Sequence, residues 1–206
     1  MARRENSEIN AGSMADIAFL LLIFFLVTTT MDTDSGILRK LPEEQPDNVE
    51  APPVKKRNIF EVNINRFDEI LVEDEEATVA DIRQLAIDFI DNGAGKSTEG
   101  QPCNYCEGEK SDSSSEHPAK AIISVQTAQT TSYGIYISVQ NELLAAYTEL
   151  RNRYAKKYLK GKYQGIMYSD LIKLQKADVE NPDLDAAISQ IRKAYPEILS
   201  DAEPIK

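Results

Sequence analysis

One acidic side chain inside an apolar stretch has the clearest potential for chemistry. Between Ser13 and Asp32 the chain has the length and composition of a membrane span, and Asp16 is the only charged residue within it. A carboxylate at the centre of a bilayer costs about 2.5 to 3.5 kcal/mol, so it usually takes up a proton or finds a polar partner. Acidic groups in such positions often mark proton paths. Two hypotheses follow: Asp16 carries protons within the membrane, or it lies at the membrane interface and is hydrated.

A pair of cysteines is the second candidate. Cys103 and Cys106 have the spacing of a redox pair or of half a zinc site. His117 is the only histidine of the chain, so a tetrahedral zinc site would lack a good fourth ligand. The pair also follows no strand-to-helix step of the thioredoxin kind. We therefore expect a small disulfide that pins a loop, in preference to a metal site or a catalytic site.

The remaining motifs do not predict an enzyme. A single histidine in a loop argues against a Ser-His-Asp or Cys-His site. Residues 93–97 end like a phosphate-binding loop, but the first glycine has the wrong spacing and the segment follows a predicted helix. Tyrosines between residues 133 and 158 recur at helical spacing, which is typical of packing. We expect no enzymatic activity, no cofactor and no metal.

The net charge excludes one class of partner. It is -11, from 34 acidic and 23 basic residues. Such a surface repels phosphate backbones, so we expect no binding of nucleic acids. The part of the chain that follows the apolar stretch is long enough for one compact domain with its own core.

The flanks of the apolar stretch predict its orientation. Two arginines precede it and two aspartates follow it. The positive-inside rule then places residues 1–10 in the cytoplasm and the bulk of the chain outside. A cleaved signal peptide is the alternative, but residues 28–32 do not form a small-x-small cleavage site. We predict an uncleaved transmembrane helix over residues 11–31.

The rest of the chain predicts a linker followed by an α+β domain. Residues 32–57 are rich in proline and acids, which is typical of an extended linker. Residues 58–206 combine the period-two alternation of half-buried strands with apolar stripes of helical spacing. Within them, residues 94–117 are rich in glycine, serine and charged residues and are expected to be a flexible insertion. The expected strands are 60–64, 70–72, 121–126 and 198–200, and the expected helices are 79–91, 135–159, 168–176 and 183–195, the first of them capped by Thr78 and Asp81.

Several segments resemble one family. Residues 8–27, which include Asp16, are similar to the N-terminus of the ExbD/TolR family of biopolymer transporters in the form typical of Bacteroidota. The dipeptides Gly36-Ile37 and Leu41-Pro42 resemble that family's post-membrane segment. Residues 136–151 resemble its second periplasmic helix, and the segment from Leu199 to Pro204 is similar to its C-terminus.

The resemblance implies a role in energy transduction. ExbD-like subunits insert their single helices, as a homodimer, into a pore formed by a ring of multi-span ExbB/TolQ-like subunits. The membrane aspartate, here Asp16, binds and releases protons, and proton flow drives rearrangement within the complex. The periplasmic domain couples this to a TonB-like protein that energises outer-membrane transporters. Leu41 and Pro42 resemble the segment that controls gating or partner contact.

We therefore expect a single N-terminal transmembrane helix plus a periplasmic α+β domain, held at the inner membrane. Two alternatives stay open. One is a TolR-like role in envelope maintenance, with the same proton chemistry and a different client. The other is a membrane-anchored periplasmic adaptor without proton chemistry. Substitution of Asp16 separates the adaptor from the two motor subunits.

Overall fold

The computed structural model describes residues 11–28, 54–177 and 181–204. The chain divides into two compact units, residues 1–50 and 51–206. The first unit is described through helix α1, Ala11–Thr28. In the described ranges, no helix combines the length and the apolar character needed to cross a membrane. The helix predicted for residues 11–31 is thus present from Ala11 to Thr28, and its membrane-spanning role stays a prediction.

The second unit is built on a mixed five-stranded sheet. Its strands are β1 Ile59–Ile64, β2 Ile70–Val72, β3 Glu75–Ala77, β4 Ile122–Thr127 and β5 Leu199–Asp201. Their spatial order is β3-β2-β1-β4-β5. The three strands β1, β2 and β3 form an antiparallel meander, whereas β4 runs parallel to β1 and β5 runs parallel to β4. The α+β class predicted for this part of the chain is confirmed.

Strand β1 alternates between buried apolar residues and more exposed residues. Phe60, Val62 and Ile64 are buried on one face, and polar or half-buried residues alternate with them. The turn after β1 is held by Asn65, whose side-chain oxygen accepts hydrogen bonds from the backbone nitrogens of Phe67 and Glu69 at 2.8 and 3.0 Å. Strand β3 was not predicted, because its glutamates lack apolar alternation and backbone pairing with β2 decides its conformation.

Four helices complete the unit. They are α2 Val79–Ile90, α3 Tyr133–Tyr158, α4 Tyr168–Ala177 and α5 Pro182–Ala194. The predicted cap of α2 is confirmed, since Thr78 and Asp81 form a reciprocal capping box. The helical spacing of the apolar residues in α2 would place Leu85 inward, but Leu85 is 38% exposed and Ile87 is buried instead.

Two hydrophobic cores hold the unit together. The larger one joins the sheet, α2 and the part of α3 from Val139 to Leu150, with Ile82, Val125 and Leu143 among its fully buried members. The smaller one joins the last turns of α3 to α4 and α5 and contains Leu171 and Ile188. Helices α3 and α5 both contribute buried residues to the two cores, α5 through Ala194 in the larger core and Ile188 in the smaller one.

The segment predicted as an insertion, residues 94–117, contains little regular structure but makes specific contacts with the core. Asn92, at the end of α2, donates hydrogen bonds to the carbonyls of Ser111 and Ser115 at 2.9 and 2.7 Å and accepts one from the Ser111 nitrogen. Ser115, Glu116 and His117 are buried. The flexibility of this segment stays a prediction, whereas its end is anchored against α2.

Candidate functional site

Asp16 lies in the second turn of α1. Its side chain is exposed, as are the neighbouring apolar side chains from Ile17 to Phe25. Phe19 and Leu20 are each about 60% exposed, at 61% and 58%. These two residues follow Asp16 by three and four positions, so all three share one face of the helix. The carboxylate is therefore framed by apolar groups.

Helix α1 has no polar face. Its only ionisable residue is Asp16, and the apolar residues are distributed around the whole circumference. A helix that is apolar all round requires cover from lipid or from other protein. A single carboxylate in such a setting is the most unusual chemical group of the described part of the helix.

The other two predicted site residues, Leu41 and Pro42, lie outside the described residues. The structure therefore brings no second predicted site residue to Asp16, and the gating role of Leu41 and Pro42 stays a prediction. The predicted linker, residues 32–57, is described only from Val54 onward. Its end forms a 3-10 turn over Lys56–Asn58, and Asn58 is buried.

The disulfide predicted between Cys103 and Cys106 is confirmed, with the two Cα atoms 5.6 Å apart. It holds Tyr105 between its two cysteines. The Tyr105 hydroxyl donates a hydrogen bond to the carbonyl of Ala194 at 2.8 Å. The Tyr105 ring also packs edge-on against Tyr154, with ring centroids 5.2 Å apart. The disulfide loop thereby joins the inserted segment to α3 and α5.

A polar network that the sequence did not predict lies beside this loop. Asp91 follows α2 and is buried, and its carboxylate accepts a hydrogen bond from the Tyr195 hydroxyl at 2.6 Å. The guanidinium of Arg153 pairs with the same carboxylate, and the backbone nitrogen of Glu107 donates to it at 3.0 Å. Burial is the main cause that raises the pKa of the Tyr195 hydroxyl, which therefore remains a neutral donor.

This network escaped prediction because its members are far apart in the chain. Arg153 and Tyr195 lie 62 and 104 positions from Asp91. Only the Asp91 carboxylate at the end of a predicted helix was visible in the sequence. No local pattern identifies partners at that distance, since the fold alone brings them together.

His117 and Glu116 occupy structural positions near the end of the inserted segment. The Nδ1 atom of His117 accepts a hydrogen bond from the Ala119 nitrogen at 3.1 Å, and burial lowers the pKa of the imidazole. Hydrogen bonds from Lys55 and Lys120 lower the pKa of the Glu116 carboxyl to about 2. Within the described ranges, no group of three His, Cys, Asp or Glu residues is placed to hold a metal.

Arg151 belongs to the segment that carries the sequence resemblance, and it has a packing role. It is 7% exposed, and its Nε atom donates to the carbonyl of Tyr195 at 3.0 Å. Its guanidinium lies over the rings of Tyr147 and Tyr168, 5.5 and 5.4 Å from their centroids. It links α3 to the residues that follow α5.

The described residues thus form an apolar helix with one carboxylate, followed later in the chain by an α+β unit. The chain matches the model of the family described as biopolymer transport protein ExbD/TolR over residues 2–152, and it belongs to that family. The family comprises transport and energy-transduction subunits, which agrees with the class expected from the sequence. A comparison with curated proteins finds no match.

The matched range has a structural boundary of its own. It ends at residue 152, inside α3, and so includes α1, the strands β1 to β4 and the inserted segment. The last turns of α3, the helices α4 and α5 and the strand β5 lie beyond it. The resemblance of the segment from Leu199 to Pro204 therefore stays a prediction.

Proposed function

We propose that this chain is the ExbD-type subunit of a motor driven by the proton-motive force and that Asp16 is its proton carrier. The observation that carries this proposal is a single carboxylate on a helix that is otherwise apolar on every side, in a chain of the ExbD/TolR family. The helix is anchored in the inner membrane, with residues 1–10 in the cytoplasm and the folded unit in the periplasm.

The physical mechanism follows from the charge of one side chain. Ionised Asp16 favours a polar partner, whereas protonated Asp16 tolerates an apolar wall. Each proton that crosses the membrane releases about 2.3 kcal/mol per 100 mV. Alternation between the two states can therefore bias the position of α1 inside a ring of multi-span ExbB/TolQ-like subunits. A second copy of this chain completes the pair of helices within that ring.

The folded unit passes the motion to a TonB-like protein that energises outer-membrane transporters. In this proposal, the segment that contains Leu41 and Pro42 controls gating or contacts the partner. Family membership supports both the coupling to a TonB-like protein and the role of this segment. Both require the folded unit to follow the displacement of α1.

Substitution of Asp16 tests the proposal. Asp16→Asn keeps the shape of the side chain and removes proton exchange, so it should abolish uptake of a TonB-dependent nutrient while co-purification with the ring subunit persists. Asp34→Asn, which removes a carboxylate just after the apolar stretch, is the matched control and should support normal uptake. Normal uptake by Asp16→Asn would refute the proton-carrier role and favour the adaptor.

The client is tested separately. Deletion of the gene should prevent growth on a nutrient that enters through a TonB-dependent transporter and should leave resistance to detergent unchanged. Loss of detergent resistance with normal nutrient uptake would assign the chain to the TolR-like role instead.

A further inference from the structure

A groove on the folded unit combines an apolar floor with acidic walls. It lies between the β2–β3 turn, one face of α2 and the segment from Glu107 to Ser114, and its volume is about 840 Å³. Phe60, Val72 and Phe89 form part of the floor, and Leu85 is 38% exposed within it. Among the described residues that line this groove, seven are acidic and none is lysine or arginine.

The carboxylates of the groove differ in their partners. Asp81 caps α2 through Thr78, Asp88 accepts a hydrogen bond from the Gln84 amide at 2.8 Å, and Glu107 pairs with Lys157. The remaining four carboxylates have no hydrogen-bond or ion-pair partner in the part of the chain that the structure describes. They belong to Glu73, Glu75, Glu76 and Glu109.

Among the described residues, basic side chains pair with only one of the seven groove carboxylates, that of Glu107, which contacts Lys157 and Arg153. Arg83, the one basic residue of α2, pairs with Glu142 of α3 at 2.7 Å and does not line the groove. Partial burial, together with the charges of Glu61 and Glu75, raises the pKa of the Glu73 carboxyl. Like charges therefore crowd the β2–β3 turn, and an added cation would stabilise them.

The distribution of the carboxylates indicates the type of cation. No three acidic residues in the described ranges are close enough together to hold a single metal ion. Carboxylates spread along a groove are complementary to several basic side chains spaced along a peptide segment. Lysine and arginine also have long apolar stems, which can cover a floor such as Leu85 while their charged ends reach the walls. Phosphate-bearing ligands are repelled by the same walls.

We propose that this groove binds a lysine- or arginine-rich segment of a partner protein. Charge complementarity supplies attraction and orientation, and contact of the basic stems with the partly exposed Leu85 buries apolar surface. The inference concerns the folded unit alone and does not depend on proton transfer by Asp16.

Peptide binding to the full chain in neutral detergent tests the proposal. The probe is a fluorescent peptide that alternates lysine and alanine, and fluorescence anisotropy gives its Kd at low salt. The variant Glu75→Gln/Glu109→Gln should raise the Kd about fivefold, as expected when two exposed ion pairs are lost. The matched control Glu99→Gln/Glu149→Gln removes the same charge from exposed residues outside the groove and should change the Kd by less than about twofold.

Equal weakening by the two variants would mean nonspecific attraction to the acidic surface and would overturn the proposal, as would no binding at all. Carbodiimide cross-linking provides a second measurement, because it joins a lysine of the peptide to a carboxylate in direct contact. Cross-links should concentrate on Glu73, Glu75, Glu76 and Glu109. Cross-links distributed over the whole acidic surface would contradict a binding groove.

Discussion

Removing the carboxylate of Asp91 should destabilise the folded unit strongly. The side chain of Asp91 is 3% exposed. Its carboxylate pairs with the guanidinium of Arg153 and accepts hydrogen bonds from the Tyr195 hydroxyl and the Glu107 nitrogen. Breaking a buried ion pair by removal of one partner costs about 3 to 5 kcal/mol. Arg153 is 28% exposed and can recover part of its hydration. The expected loss in the free energy of unfolding for Asp91→Ala is therefore about 3 kcal/mol.

Equilibrium unfolding of the full chain in detergent, followed by circular dichroism in urea, measures this loss. Arg153→Met should cost a similar amount because it leaves a carboxylate without its cation. The double variant Asp91→Ala/Arg153→Met should lose less free energy of unfolding than the sum of the two single losses. The expected coupling energy is about 1 to 3 kcal/mol. Tyr195→Phe removes one hydrogen bond to a charged group and should cost about 1.5 to 3 kcal/mol.

The control is an exposed pair. Arg83→Met breaks the contact with Glu142, and both side chains are substantially accessible, so the expected loss is about 0.5 kcal/mol or less. If Asp91→Ala costs no more than Arg83→Met, or if the Asp91 and Arg153 effects simply add, the network does not stabilise the junction of α2, α3 and α5.

Three further perturbations follow from the described contacts. Burial lowers the pKa of His117 below its ordinary value of 6.5, so the folded state binds a proton less readily than the unfolded chain. The free energy of unfolding should therefore be greatest above pH 6.5 and fall as the pH drops through the folded-state pKa. Urea titrations at several pH values measure this dependence, which should disappear in His117→Asn. An unchanged pH dependence in the variant would exclude His117 as its cause. Replacing both Cys103 and Cys106 by alanine should lower the free energy of unfolding by about 2 kcal/mol, the chain-entropy value for so short a loop. It should also increase amide hydrogen exchange at Tyr105. Unchanged exchange would mean that the loop docks without the disulfide. Thr78→Ala removes the cap of α2 and should cost about 1 kcal/mol in thermal unfolding, whereas Thr98→Ala, at an exposed loop residue, should cost close to nothing.

The regular elements were predictable where local patterns decide them. Alternation in β1 and the helical stripe of α3 each depend on residues close in sequence, and both were found within two residues of their ends. The Thr78 cap was also visible, because its partner Asp81 is three positions away. Strand β3 was missed because Glu75 and Glu76 are acidic and extended only through pairing with β2.

The polar contacts of the site were much less predictable. The Cys103–Cys106 bond could be expected from spacing, since its partners are three residues apart. The junction formed by Asp91, Arg153 and Tyr195 could not, because it requires the positions of three helices to be known. The same holds for the acidic groove, whose walls come from a turn, a helix and the inserted segment. The role proposed for Asp16 stays a prediction, because it depends on neighbours that other chains would supply.

Helix α3 has a mechanical consequence. It is a single helix of 26 residues, about 39 Å long, and it supplies side chains to the larger core from Val139 to Leu150 and to the smaller core near its end. An unbroken rod of this kind resists bending, so load applied to α4 or α5 reaches the sheet without a hinge to absorb it. A chain that ended at residue 152 would lose the last six residues of α3 together with α4, α5 and the smaller core, so these terminal elements brace the end of the rod.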